Sequence, residues 1–311
     1  MRRVTAAICS GLVLLAGCHV RDTRRLIAVI VPSQDNPFFK AEADAAVARA
    51  TELGYRVRVD AHEDDAYRQD NLIDAAIASN AAALILDNAG ADASISAIRR
   101  AAKAGIAVFL IDREINATGI AKAQIVSDND QGARLVATEF VRSLEGGRSA
   151  YAELLGRESD TNAQVRTKGF HAVLDQDAAL TMVTAQSANW SQAEAFSKTE
   201  TILQAHGDIR GIIAGNDTMA LGAVAAVRSA GLKGIRIVGF DGSPDAVAAI
   251  EAGEMDATAL QPAVLISRMA VDEADALLKT GSTGRPEVQV IPCDLVVKAN
   301  AGEYANFEKR R

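Results

Sequence analysis

One feature constrains this chain more than any other: from Leu26 onward, short β-branched and aliphatic runs alternate with alanine-rich segments of helical length and period. The runs are Leu26–Val31, Arg56–Asp60, Ala83–Leu86, Ala107–Ile111, Gln124–Ser127, Ser149–Leu154, Leu180–Gln186, Gly211–Ala214, Arg236–Phe240 and Ala257–Leu260. Between most of them lie Phe39–Leu53, Gln69–Ser79, Asp130–Leu144, Thr161–Leu174, Gln192–Ala205, Thr218–Ala230 and Ala263–Leu278. Strands that alternate with helices pair in parallel and carry helices on both faces of the sheet, which predicts an α/β architecture. Gly54, Gly105 and Gly231 follow helices where a left-handed cap residue is wanted, and Pro37 and Pro262 stand where helices begin. Around ten strands exceed one compact sheet of ordinary size, so the chain divides into two doubly wound parallel-sheet domains. Ser127-Asp128-Asn129 is the first expected crossover. No low-complexity tether separates the halves, and short connections between lobes predict a hinge.

The first residues stand outside this pattern. Arg2 and Arg3 precede an apolar run from Val4 to Leu15, too short to span a bilayer, which reads as an export signal over residues 1–17. The run ends in Leu15-Ala16-Gly17-Cys18, which resembles the bacterial lipobox and so implies acylation of Cys18 and a lipid anchor at the periplasm or cell surface. Loss of Arg2 and Arg3 with the signal moves the formal charge from −7 to −9, which argues against nucleic acid as a partner. Cys293 then remains as the unmodified cysteine, so no disulfide forms within the mature chain. Four scattered histidines have no zinc-site spacing, and neither a metal nor a cofactor is expected.

In parallel α/β sheets ligands bind beyond the carboxyl ends of the strands. Here those ends carry Ser33-Gln34-Asp35-Asn36-Pro37-Phe38-Phe39, Asp112-Arg113, Asn189-Trp190, Asn216-Asp217, Asp241-Gly242 and Gln261. Carboxylates, amides and guanidinium groups suit sugar hydroxyls, and aromatic rings suit the C–H faces of a sugar. No nucleophile stands beside a base, and there is no Gly-x-Ser-x-Gly elbow or P-loop, so the residues make a binding protein and not an enzyme.

At Asp35-Asn36-Pro37-Phe38-Phe39, Ile111-Asp112-Arg113, Asn216 to Ala223 and Val238-Gly239-Phe240-Asp241-Gly242 the chain resembles the ribose-binding family of type I periplasmic binding proteins, from about Leu26 to Lys298. The resemblance implies two Rossmann-like lobes joined by a three-segment hinge, residues 26–127 plus 262–290 and 128–261 plus 291–302. It implies a monomer that closes on a monosaccharide or small polyol and serves the permease and ATPase of an ABC importer. A sensor that reports the sugar to a membrane receptor is the alternative. The ligand contacts it implies are Asn36, Phe38, Phe39, Asp112, Arg113, Asn216, Asp241 and Gln261, with Arg166 reached through Arg166-Thr167-Lys168-Gly169-Phe170 and Trp190 where relatives carry Phe. Pro32 replaces a serine of ribose binders, and Gly156-Arg157-Glu158-Ser159-Asp160-Thr161-Asn162 is more polar than its counterpart, changes that a smaller or differently substituted pentose, a tetritol or a pentitol fits at least as well as ribose. Asn189 is expected to cap a helix, Asp217 to be structural, and Asp175 and Asp177 to form a solvated turn. An open, wet cleft would let Arg113→Ala or Asp241→Ala weaken binding while sparing the fold.

Overall fold

A computed structural model describes residues 24–145 and 147–310; the expected export signal over residues 1–17 and Cys18 lie outside the described residues. The chain opens with β1 (Leu26–Val31), α1 (Pro37–Glu52), β2 (Arg56–Ala61), α2 (Ala66–Ala78), β3 (Ala83–Leu86), α3 (Ile95–Lys103), β4 (Ala107–Ile111) and β5 (Ala123–Ser127). It continues through α4 (Asn129–Ser143), β6 (Ser149–Leu155), α5 (Thr161–Leu174), β7 (Leu180–Ser187), α6 (Gln192–Ala205), β8 (Ile209–Ala214), α7 (Asp217–Ser229), β9 (Arg236–Asp241), α8 (Pro244–Ala252) and β10 (Ala257–Leu260). Then come α9 (Ala263–Thr280), β11 (Val288–Ile291), β12 (Asp294–Val297), a 3-10 turn at Ala301–Glu303, and a hairpin of β13 (Tyr304–Ala305) and β14 (Glu308–Lys309).

Two six-stranded sheets result, ordered β11-β5-β4-β3-β1-β2 and β12-β10-β9-β8-β6-β7. Every pairing in the first is parallel, and in the second only β12 against β10 is antiparallel. The central strands β1, β3, β4 and β5 are buried at every position because helices cover both sides. On one face of the first sheet α1 and α9 close a core around Ile27, Val29, Phe109 and Ile125, while α2 and α3 close another around Ile30, Leu84 and Leu110. The second sheet is sandwiched likewise, with Phe140, Phe170 and Phe240 on the α4 and α5 side and Ile212, Met219 and Ile250 on the other.

The three glycines expected to cap helices all adopt positive φ, between 67° and 87°. β11 and β12 were not expected as strands. Each has four residues at a sheet edge, and Val288 and Val290 are exposed, so neither shows the continuous apolar run of a buried parallel strand. The chain passes between the sheets at Ser127-Asp128, at Gln261-Pro262 and at Pro292-Cys293. Gln131 on α4 pins the last crossing, accepting from the Cys293 N–H at 2.9 Å and donating to its carbonyl at 3.1 Å. These crossings bring the carboxyl ends of both sheets face to face.

Candidate binding site

One cavity between the sheets is lined by Asn36, Phe38, Phe39, Asp112, Arg113, Arg166, Trp190, Asn216, Asp241 and Gln261, together with Asp160 and Asn162. All ten residues singled out in the sequence thus meet in one place. The last two were not singled out. They sit in the polar stretch after β6, whose departure from the ribose binders was the only signal for them.

The first sheet supplies Arg113, which is 2% exposed. Its Nη1 donates to Asp64 at 2.8 Å and to the Asn88 carbonyl at 3.0 Å, and its Nε lies 2.8 Å from Asp160 and 3.4 Å from Asp87. Asp112 stands 3.9 Å away, and the guanidinium lies over the Phe39 ring at 5.0 Å. Asp112 has φ +57°, a left-handed backbone that turns the chain sharply where β4 ends. Burial raises its carboxyl to about 7, although Arg166 and Arg113 pull the other way. Behind them the Glu42 and Asp87 side chains are fully buried. Burial above all, and then repulsion between the acids, holds both well above the usual carboxylate range. Asp64 is the exception: burial opposes its ionisation, but Arg113, its hydrogen bond and Arg157 outweigh that and hold it low. His62 donates from Nε2 to the Asp87 carbonyl and accepts the Asp64 N–H at Nδ1, a neutral tautomer consistent with burial lowering it to about 4.

The second sheet supplies Arg166, held differently. Its Nε donates to Asn129 Oδ1 at 2.7 Å, and Nη1 donates to the Gly215 carbonyl at 2.9 Å and to Asp241 Oδ1 at 3.1 Å. The guanidinium lies 3.9 Å from the Phe240 ring centre and 5.6 Å from that of Trp190. Asp241, at φ +123° beyond Phe240, also accepts from Gln261 Nε2 at 2.8 Å. Burial raises Asp241 to about 7 against the pull of Arg166. Gln261 Oε1 has no hydrogen-bond partner among the described residues and can accept from a ligand hydroxyl. Trp190 fits because Gly156 and Gly215 lack side chains: a Cβ at Gly156 would fall 1.9 Å from the indole.

Both asparagines that could be mere caps are caps and also line the cavity. Asn36 Oδ1 accepts from the Phe38 N–H at 3.0 Å and Asn216 Oδ1 from the Met219 N–H at 2.9 Å. A cap engages only the oxygen, so each Nδ2 can still donate. Asn189 does not cap α6. Ser191 does, through the Glu194 N–H, while Asn189 takes φ +50° in the turn before it, a conformation asparagine tolerates. Asp217 is structural, accepting from Thr258 Oγ1 at 2.6 Å and the Ser243 N–H at 2.7 Å.

Asp160 joins the two halves of the site. Its Oδ1 caps α5, and its Oδ2 accepts the Trp190 indole N–H at 3.1 Å while facing Arg113 across the cleft. Asn162 Nδ2 reaches Asp112 at 3.2 Å, Arg157 reaches Asp64 at 3.3 Å, and the Ala91 N–H reaches the Ser159 carbonyl at 3.4 Å. The stretch 157–162 therefore clasps the first sheet's loops. The cavity beside it is only about 20 Å³, room for a water molecule or so, and a sugar can enter only if the two halves part.

Two parallel-sheet lobes that close on a cavity of acids, amides, guanidinium groups and rings define a two-lobed solute-binding protein. The family model described as the periplasmic binding protein domain matches residues 27–283, and the chain belongs to the type I periplasmic sugar-binding proteins. It is 55% identical to the D-apiose import binding protein of Paraburkholderia graminis, covering 99% of each chain. It is 52% identical to the protein of the same name from Actinobacillus succinogenes, covering 96% of each. The solved structure of a Caulobacter myo-inositol binding protein bound to myo-inositol superposes with a TM-score of 0.85 at 29% identity, covering 92% of this chain and 98% of that one.

Proposed function

We propose that this protein captures D-apiose, or a pentose close to it, and hands it to an ABC importer. The family is one of solute-binding transport proteins, exported to the periplasm, and the chain is a sugar-binding protein of that class. The observation that carries the ligand is the near-complete alignment with two D-apiose import binding proteins above 50% identity. D-apiose is a branched pentose that crowds its hydroxyls around a compact furanose ring. Such a ligand needs acceptors and donors on all sides, and the cavity offers Asp112, Asp241 and Asp160 as acceptors, Arg113 and Arg166 as donors, and Asn36, Asn216 and Gln261 as both. Phe38, Phe39 and Trp190 supply apolar walls for the ring carbons. The departure at Pro32 and the polar stretch 156–162 also favour a sugar other than ribose.

In this reading residues 26–127 plus 262–290 and residues 128–261 plus 291–302 move as two bodies about the three crossings. The closed monomer, anchored through acylated Cys18, docks on a permease that an ATPase drives. Calorimetry of the purified protein against D-apiose, D-ribose, D-allose and myo-inositol tests the ligand. D-apiose should bind at least tenfold more tightly than the others, and at 100 times its dissociation constant should add about 2.7 kcal/mol to the unfolding free energy. Tighter binding of any of the other three would overturn the assignment.

A further inference from the structure

The hairpin at the C-terminus belongs to one lobe and reaches into the other. Its base is fixed to the second lobe: Asn300 Oδ1 accepts the Val297 N–H, Asn300 Nδ2 donates to the Leu295 carbonyl, and Ala301 and Tyr304 are buried in the core with α8. Its tip is not. Phe307 is 2% exposed and lies in the core of the first lobe, edge-on to Phe38 with ring centroids 5.5 Å apart. Phe38 lines the cavity and stands edge-on to Phe39, which lies under the Arg113 guanidinium. A continuous line of rings thus runs from the tail to the ligand site.

The backbone at the tip shows that the ring is wanted. Asn306 and Phe307 are the two loop residues of the hairpin, with φ +49° and +61°, the geometry of a type I′ turn. The second loop position of that turn favours glycine, and a bulky side chain there is strained. A phenylalanine held in this conformation is explained by what its ring does, not by the turn. Edge-to-face pairs of buried rings are favourable beyond the area they bury.

We propose that the hairpin Tyr304–Lys309 is a latch of the closed form, which seats Phe307 against Phe38 across the lobe boundary and so both favours closure and holds the aromatic wall of the cavity. Phe307 is a positioning residue and does not touch the ligand. A contact made only when the lobes are together shifts the equilibrium toward them. The effect on affinity rests on the sugar-binding reading above; the effect on closure does not.

The test uses the exported chain and its variants Phe307→Leu and Phe307→Gly. Glycine relaxes the turn and removes the ring, so it separates the two roles. Amide hydrogen exchange without sugar reports closure at Ala91 and at residues 157–162. Isothermal titration with D-apiose reports affinity. Phe307→Gly should exchange at least fivefold faster at those segments and bind D-apiose 5- to 30-fold more weakly, with Phe307→Leu in between. Wild-type exchange and affinity in Phe307→Gly would overturn the latch, as would wild-type values in Phe307→Leu should the glycine variant not fold. If the wild type itself binds no D-apiose, the ligand assignment fails, and the exchange comparison alone decides the latch.

Discussion

Arg113 and Arg166 face the same cavity from opposite lobes, yet they are held by different physics. Around Arg113 stand Glu42, Asp64, Asp87, Asp112 and Asp160, more buried acids than the guanidinium groups that act on them: Arg113 itself, the half-exposed Arg157 at Asp64, and Arg166, which acts on Asp112. Arg166 contacts a single carboxylate, Asp241, and otherwise rests on neutral acceptors and the faces of Phe240 and Trp190. One side of the site is therefore organised by charge and the other by packing. Removing a cation from an acid cluster strands charges in a low dielectric, whereas removing it from between rings leaves chiefly a gap.

The largest expected effect follows from that contrast. Arg113→Ala should abolish measurable sugar binding and also lower the unfolding free energy of the closed form by about 3–5 kcal/mol, the usual consequence of breaking a buried charged cluster. This reverses what an open, wet cleft would suggest for Arg113, because in the closed structure its partners are buried. Thermal unfolding should show the loss, and Asp87→Asn in the same chain should restore part of the stability without restoring binding. Equal destabilisation by Arg166→Ala would break the comparison.

Arg166→Ala should weaken binding by roughly 10- to 150-fold, the range of one lost charged hydrogen bond at about 1.5–3 kcal/mol, with a smaller change in unfolding temperature. Arg166→Lys should rescue little, since an ammonium cannot lie flat between two rings while donating to Asn129 and Asp241. Calorimetry on both variants checks this, and near-wild-type affinity in the lysine variant would show that charge, not planarity, matters on that side too.

Gly156→Ala probes the packed side without touching a charge. The added methyl meets the indole, so Trp190 must shift, its bond to Asp160 should be lost, and affinity should fall about tenfold while the fold survives. Unchanged affinity with displaced tryptophan fluorescence would remove Trp190 from the binding wall.

The remaining effects are in pH. Asp112 and Asp241 are raised to about 7 from near 3.8, so their contribution to closed-state stability is complete below pH 3.8 and is lost as pH rises through 7. His171 is raised to about 9, first by its hydrogen bond to Glu153, and its contribution is complete below pH 6.5 and lost as pH rises through 9. Unfolding temperature followed from pH 4 to 10 should therefore respond in two windows, with Asp112→Asn flattening the lower and His171→Asn the upper.

Periodicity and punctuation in the chain by themselves determined two parallel-sheet lobes and which residues stand at the strand ends, because buried strands, helix caps and strand termini are local properties that show in neighbouring residues. Phe38, Arg113, Asn216 and Asp241 were legible as strand-end residues for that reason, and as ligand contacts through the resemblance to the ribose-binding family. Only the tertiary structure decided which distant groups share a dielectric environment. Nothing near Glu42 in sequence announces Asp87 or Arg113, and α1 looks like an ordinary alanine-rich helix until packing buries an acid on its inner face. Asp160 and Asn162 read as a polar loop until closure sets them against Arg113 and Asp112. Phe307, near residue 311, packs edge-on against Phe38, 269 positions away along the chain. Burial and electrostatic coupling depend on distance in space, and chain separation carries almost no information about that until the lobes meet.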